Sequence, residues 1–252
     1  MARPVTLVTG ASAGLGAEFA RACARRGDEL VLVARRRDRL EALAAELGGR
    51  AHVVAADLSA PGAPEALLGE VAARGLTVTT LINNAGFGLA GPFADQALER
   101  QREMIDLNIR ALVGLTHLVL PAMRANRAGF ILNVASTGAF QAGPGFALYF
   151  ATKAFVLSFS EALHQELKGS GVRVSALCPG PTRTEFGEVA GVTTDRFDRF
   201  AADAASVVRA GLAGLDRNQA IVIPGFSNKL SAQSNRLLPR AWMRRIVASM
   251  KL

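Results

Sequence analysis

Short runs rich in apolar and β-branched residues alternate with longer stretches of helical periodicity along the whole chain, and this alternation restricts the fold more than any single motif. The runs are VTLVT (5–9), ELVLVA (29–34), AHVVAA (51–56), TTLINN (79–84), GFILNVAS (129–136), VRVSALC (172–178) and AIVIP (220–224). Between them, residues 15–26, 37–48, 63–74, about 95–125 and 150–169 repeat apolar side chains every three or four positions, the period of an amphipathic helix. Strands that are apolar along their whole length need cover on both faces, which a parallel sheet between two helical layers supplies. The expected fold is doubly wound α/β, a Rossmann-type seven-stranded parallel sheet flanked by helices.

A chain of 252 residues that is 50% hydrophobic and 20% charged has enough apolar surface for one large core. We expect one domain over 1–252, with a core of about 3–225 and a C-terminal helical extension of about 226–252. The net charge of +8 raises the question of a nucleic-acid partner. Arg21, Arg25, Arg35, Arg39 and Arg100 are spread along helix faces and are not interleaved with aromatics as a base-stacking surface requires. We therefore expect no nucleic-acid partner. Cys23 and Cys178 fall in a helix and at a strand end, so no disulfide is expected. The N-terminus enters a strand pattern at once, without the layout of a signal peptide. No window offers about eighteen uninterrupted apolar residues, so no transmembrane helix is expected and the cytoplasm is the default compartment.

In a sheet of this kind, ligands bind beyond the carboxyl ends of the strands. Those ends read TGASAGLG, ARRR, ADL, NNAG, ASTG and CPGPTRT, each rich in glycine, small or polar residues. In the first, Gly10, Gly14 and Gly16 are spaced by four and then two. Glycines there let the backbone turn tightly and approach a pyrophosphate, whose charge is favoured by the free amides at the following helix N-terminus. The three histidines, His52, His117 and His164, have no metal-ligand spacing.

The T-G-x-x-x-G-x-G run of residues 9–16, Asn83-Asn84-Ala85-Gly86 and the set Ser136, Tyr149 and Lys153 occur in the order found in the short-chain dehydrogenase/reductase family, which this chain resembles over almost its whole length. Thirteen positions separate Ser136 from Tyr149, a spacing usual in that family. The resemblance implies a carbonyl–alcohol oxidoreductase using a nicotinamide nucleotide, assembled as a homodimer or homotetramer. It implies nucleotide contacts from Gly10, Ser12, Ala13, Gly14, Leu15 and Gly16, from Asn84, Ala85 and Gly86, and from Tyr149 and Lys153 themselves. Pro179, Gly180, Thr182 and Thr184 look like the segment that closes over nicotinamide and pyrophosphate, and Asp57 and Leu58 like the pair that contacts adenine. Asn108 matches a helix asparagine that holds a relay water in the family.

The end of the second strand bears on which nucleotide is bound, because a carboxylate there suits a ribose diol and arginine a 2′-phosphate. Ala34 stands where NAD-preferring relatives have aspartate, and Arg35, followed by Arg36, where NADP-preferring relatives are basic. NADP is the expected cofactor, with NAD preference as the alternative. A sensor or scaffold that binds nucleotide without turnover is the competing class, and retention of Asn108, Ser136, Tyr149 and Lys153 argues against it.

Tyr149 is the only tyrosine, beside thirteen phenylalanines, and Lys153 is one of four lysines against twenty-five arginines. Reducing a ketone requires a proton on oxygen as charge develops there. A free phenol titrates near 10. A lysine at i+4 lies on the same helix face, and we expect its charge to lower that value. Ser136 is expected to hold the substrate oxygen. Phe87, Leu89, Phe93, Phe140, Phe146, Phe186 and Val189 follow strand ends, so we expect a mostly apolar pocket for a hydrophobic carbonyl or secondary alcohol. Residues 185–203 are expected to form a lid. The basic amphipathic tail, with Trp242, Met243, Ile246, Val247 and Met250, fits packing within the protein or an oligomer, where it could cover its own substrate site or meet a partner subunit, and alternatively a membrane surface.

Overall fold

A computed structural model describes residues 2–192 and 201–249. Seven parallel strands form one sheet in the order β3-β2-β1-β4-β5-β6-β7. They are β1 (Arg3–Thr9), β2 (Leu30–Ala34), β3 (Ala51–Ala55), β4 (Leu76–Asn83), β5 (Gly129–Val134), β6 (Val172–Leu177) and β7 (Ile221–Val222). The apolar runs are buried on both faces because neighbouring residues point to opposite sides of a strand. Val8, Leu32, Ile82 and Leu132 enter one core, with Phe19 and Leu212. Leu7, Val31, Leu81 and Ile131 enter the other, with Leu115, Val119 and Met123.

Helices α1 (Gly14–Arg25), α2 (Arg37–Glu46) and α3 (Ala63–Ala73) follow the first three strands within a residue or two of the expected limits. The long helical stretch expected at about 95–125 is subdivided. It runs as α4 (Leu98–Ile105), a π-helical turn over Asp106–Ala111 and α5 (Leu112–Ala125). Leu98–Ala125 is long and apolar enough by composition to cross a bilayer, and its apolar side packs on the sheet through Leu115, Val119 and Met123. Helix α6 (Ala147–Glu166) carries Tyr149 and Lys153, and α7 (Phe186–Ala190) opens the segment expected to be a lid. Residues 193–200 of that segment lie outside the described residues.

Helix α8 (Ala204–Asp216) was not expected from the sequence. Asp203 caps it by accepting a hydrogen bond from the Ser206 amide at 2.9 Å, and Val207, Val208, Leu212 and Leu215 pack into the first core. The last strand is only two residues long. The C-terminal extension forms α9 (Phe226–Leu237) and α10 (Arg240–Ser249). Cys23 and Cys178 are buried free thiols.

The chain leaves β1 toward β2 and β3 on one side and returns through β4 on the other. The crevice beyond Thr9 and Asn83 is therefore the topological switch point where such sheets bind ligands.

Candidate active site

The ends of β1 and β4 are joined by side chains. Thr9 Oγ1 accepts from the Asn84 and Ala85 amides at 3.0 Å each, and Asn84 Nδ2 donates to the Thr9 carbonyl at 2.9 Å. The glycine run then turns with positive φ at Gly10 (66°) and Gly14 (53°). A methyl group at Gly16 would stand 2.1 Å from the Gly10 carbonyl oxygen and 2.6 Å from Asn84 Nδ2. Gly16 therefore packs behind the loop and does not line the cavity. Ala13 caps α1 without a side-chain hydrogen bond, and the first turn carries no acid. Its free amides and positive dipole end are open to an anion.

That end faces a cavity of about 610 Å³. Gly10, Ser12, Ala13, Gly14 and Leu15 line one part, with Arg35, Arg36, Asp57, Leu58, Asn84, Ala85 and Gly86 beside them. Pro179, Gly180, Thr182 and Thr184 line the side formed by the segment after β6. Asp57 accepts from the Ser59 amide at 3.0 Å and hydroxyl at 2.6 Å, so its carboxylate caps its own loop while facing the cavity. Arg35 is drawn toward Glu103 at 3.0 Å. Arg36 reaches the glycine loop, donating to Ser12 Oγ at 3.1 Å, and pairs with Glu185 at 3.0 Å. Glu185 also pairs with Arg39. The sequence reading centred on Arg35; the structure adds a three-residue ion pair between α2 and the segment leading into α7.

The other part of the cavity is apolar and contains Ser136, Phe87, Phe146, Tyr149, Phe150, Lys153, Phe186, Val189 and Val192. The Phe186 ring lies 5.2 Å from the Tyr149 ring. Ser136 starts a short 3₁₀ turn, its Oγ accepting from the Gly138 amide at 3.0 Å. Burial pushes the Tyr149 phenol up to about 12, opposed by a hydrogen bond with Ser136. Burial also brings the Lys153 ammonium down to about 8. Lys153 Nζ donates to the Val134 carbonyl at 2.8 Å and lies 5.8 Å from the Tyr149 ring centre. The expected lowering of the Tyr149 value by Lys153 is thus reversed here, because loss of water outweighs a charge held at that distance.

Asn108 lies beneath the cavity. It sits in the π-helical turn, a device often found at functional sites. Its Oδ1 accepts from the Phe87 amide at 3.1 Å, and its Nδ2 donates to the Phe87 carbonyl at 3.0 Å and to Thr152 Oγ1 at 3.1 Å. A methyl at Gly86 would lie 2.9 Å from Asn108 Oδ1 and 3.4 Å from Lys153 Nζ, so these three residues converge at one point.

Three expected pocket residues lie elsewhere. Phe140 turns toward the cluster of Leu112, Val156 and Leu157, because it ends the 3₁₀ turn on the side facing α5 and α6. Phe93 is exposed, and Leu89 packs against the cluster that holds Phe87 without lining the cavity. Phe150 and the α9 residues Asn228 and Ser231 line the cavity and were not expected. Phe150 lies one position after Tyr149 in a run of mixed apolar residues, and while the tail fits a cover for the site, no local mark in it singles out Asn228 or Ser231. His52 pairs with Glu29, and His164 with the Val174 carbonyl.

The model of the short chain dehydrogenase family matches residues 4–193. Sulfoacetaldehyde reductase 2 of Chromohalobacter salexigens is 40% identical over 186 residues, covering 72% of this chain and 74% of that protein. A short-chain dehydrogenase from Sphingobium yanoikuyae, solved in complex with NADPH, is 37% identical, with a TM-score of 0.82 and 93% of each chain covered. A 7β-hydroxysteroid dehydrogenase structure covers 98% of this chain and 96% of its own at a TM-score of 0.88 and 27% identity. Sequence, sheet order and the convergence of motifs at one crevice agree: this chain belongs to the short-chain dehydrogenase/reductase family, oxidoreductases that interconvert alcohols and carbonyls with a nicotinamide nucleotide.

Proposed function

We propose that this chain is a single-domain, NADP-dependent oxidoreductase acting on a hydrophobic ketone, aldehyde or secondary alcohol, with Tyr149 as its proton donor. The observation that carries this reading is the division of one cavity. Arg35, Arg36 and the uncapped start of α1 lie in one part; Tyr149 and Ser136 lie among phenylalanines in the other.

The residues present fit a dinucleotide phosphate. Gly10, Ser12, Ala13, Gly14 and Leu15 would hold its pyrophosphate against the α1 amides, and Arg35 and Arg36 its 2′-phosphate. Leu58 and Asp57 would border adenine, and Asn84, Ala85, Gly86, Pro179, Gly180, Thr182 and Thr184 would enclose the remainder. When bound, this cofactor supplies the hydride. The NADPH complex of the Sphingobium relative supports the same assignment.

The phenol of Tyr149, held protonated by burial, is suited to give its proton to the substrate oxygen during reduction. Ser136 supplies a second hydrogen-bonding group at that oxygen. Lys153 places a cation beneath the phenol, and Asn108 holds the Phe87 backbone and α6 together so that both groups keep their positions.

Phe87, Phe146, Phe150 and Phe186 define the substrate end. Lys153 is the only cation among the described residues lining that end, and it is turned toward Val134. This favours an uncharged apolar substrate over the anionic aldehyde named for the Chromohalobacter relative. A panel of apolar ketones and anionic aldehydes assayed by NADPH oxidation tests the reading. Preference for the anionic compounds would overturn the substrate class; equal affinity for NADH and NADPH would overturn the nucleotide assignment.

A further inference from the structure

Beyond Asp216 the chain contains seven of its 29 lysines and arginines and none of its 21 aspartates and glutamates. Residues 1–216 are therefore left with a net charge of +1, and almost the whole +8 belongs to the last 36 residues. The family model stops at residue 193, before this segment begins.

Helix α10 divides its side chains between two environments. Met243 and Val247 are buried, and Val247 packs in the cluster of Phe87, Phe146 and Tyr149. This inner seam fixes the helix on the protein. Trp242 and Ile246 point outward and are 60% and 41% exposed, and Phe226 and Leu230 of the adjoining α9 are 83% and 63% exposed. Lys229, Arg240, Arg244 and Arg245 are exposed around them, and none forms an ion pair among the described residues. Exposed aromatic and aliphatic groups on helices whose charged residues are all cations make the pattern of a helix lying in a bilayer interface.

We propose that this C-terminal face docks on an anionic lipid surface. A second copy brought by a two-fold axis would set the same basic face against itself, which like-charge repulsion opposes. Phe226 and Trp242 could each stack a base, but Leu230 and Ile246 between them are aliphatic, which suits acyl chains better than a row of bases. An anionic bilayer neutralises the cations and buries the apolar groups between them. Each cation brought near such a surface raises binding by about five-fold.

The test is sedimentation of the full chain with phosphatidylcholine vesicles, with and without phosphatidylglycerol. Binding is expected only with phosphatidylglycerol and is expected to fall as salt is raised. Changing Arg240, Arg244 and Arg245 together to Gln should weaken it by about a hundred-fold. Changing all three to Lys should leave it largely intact, and Trp242→Ser with Ile246→Ser should reduce it at every salt concentration. Unchanged thermal unfolding and NADPH affinity in the variants would show that the fold is kept. If the Gln variant fails to fold, the salt dependence of the unaltered chain and the Lys variant decide the matter. Absence of sedimentation with either vesicle, salt-insensitive binding or full binding by a folded Gln variant would overturn the proposal. So would tighter binding to a single-stranded oligonucleotide, or a self-association abolished by the Trp242 change.

Discussion

The Lys153 ammonium lies 5.8 Å from the centre of the Tyr149 ring and gives a 2.8 Å hydrogen bond to the Val134 carbonyl at the end of β5. One turn of α6 separates the two residues, and their burial sets their charges: the phenol is neutral and the ammonium is weakened. Replacing Tyr149 by Phe removes the proposed proton donor while keeping the ring that packs on Phe186. Carbonyl reduction should fall by about 10²–10⁴-fold, with NADPH affinity within about two-fold of the original. Rapid NADPH oxidation by the variant would show that the proton comes from elsewhere.

The same two groups give stability a pH dependence of opposite signs. Lysine ordinarily titrates at 10.5 and Lys153 at about 8, so between these values the unfolded chain binds more protons and stability rises with pH. Below about 8 both states carry the proton and the cost of the buried charge is constant. Tyr149 is raised from 10.0 to about 12, so between those values the folded state holds the extra proton and stability falls as pH rises. Calorimetric unfolding between pH 8 and 9 should show a rise that Lys153→Met lacks; above 9 the buried thiols Cys23 and Cys178, raised from 9.0 to about 12, turn the slope downward. An equal rise in that variant would assign the effect to other groups.

The Arg36–Glu185–Arg39 ion pair sets a carboxylate on one of the two arginines proposed to hold the 2′-phosphate. Arg36→Ala should weaken NADPH by about ten-fold or more and leave NADH nearly unchanged, since a charge-assisted contact is lost only with the phosphorylated ribose. Glu185→Gln should tighten NADPH by a few-fold, because the competing anion is gone. Fluorescence titration of both nucleotides measures these changes, and parallel losses for NADH and NADPH in the Arg36 variant would place the arginine away from the 2′ position.

Gly16→Ala tests the packing behind the glycine run. With its methyl group 2.1 Å from the Gly10 carbonyl oxygen, either α1 or the loop must shift. Overpacking of this kind costs about 1–3 kcal/mol, and the shifted amides should weaken nucleotide binding as well. Chemical denaturation and NADPH titration should both register the change; an unaltered unfolding midpoint would mean that the loop gives way freely.

Asn108→Leu keeps the volume and deletes the hydrogen bonds to the Phe87 amide and carbonyl and to Thr152. Each buried group left unpaired costs about 1–3 kcal/mol, so a thermal midpoint several degrees lower is expected. Because those bonds hold the Phe87 wall of the substrate end, KM for apolar ketones should rise even where the variant remains folded. An unchanged KM would limit Asn108 to stability.

The parallel sheet and the nucleotide crevice could be read from the chain because they rest on short-range rules. Strand periodicity sends Leu7 and Val8 to opposite cores, the glycine run permits one tight turn, and Tyr149 and Lys153 share a helix face by their spacing alone. Strand order then placed the motifs together at one switch point. What the tertiary structure decided involves residues far apart in sequence. Phe140 faces the core and Phe150 the cavity. Asn228 returns to the site from α9. Glu185 meets Arg36 across 149 positions. Burial, which exists only after the chain has folded around Tyr149 and Lys153, determines their protonation. Local periodicity records which side of an element is apolar; it holds no information about which distant element will cover that side or how much water will remain there, and those two quantities set the pocket and its acid–base chemistry.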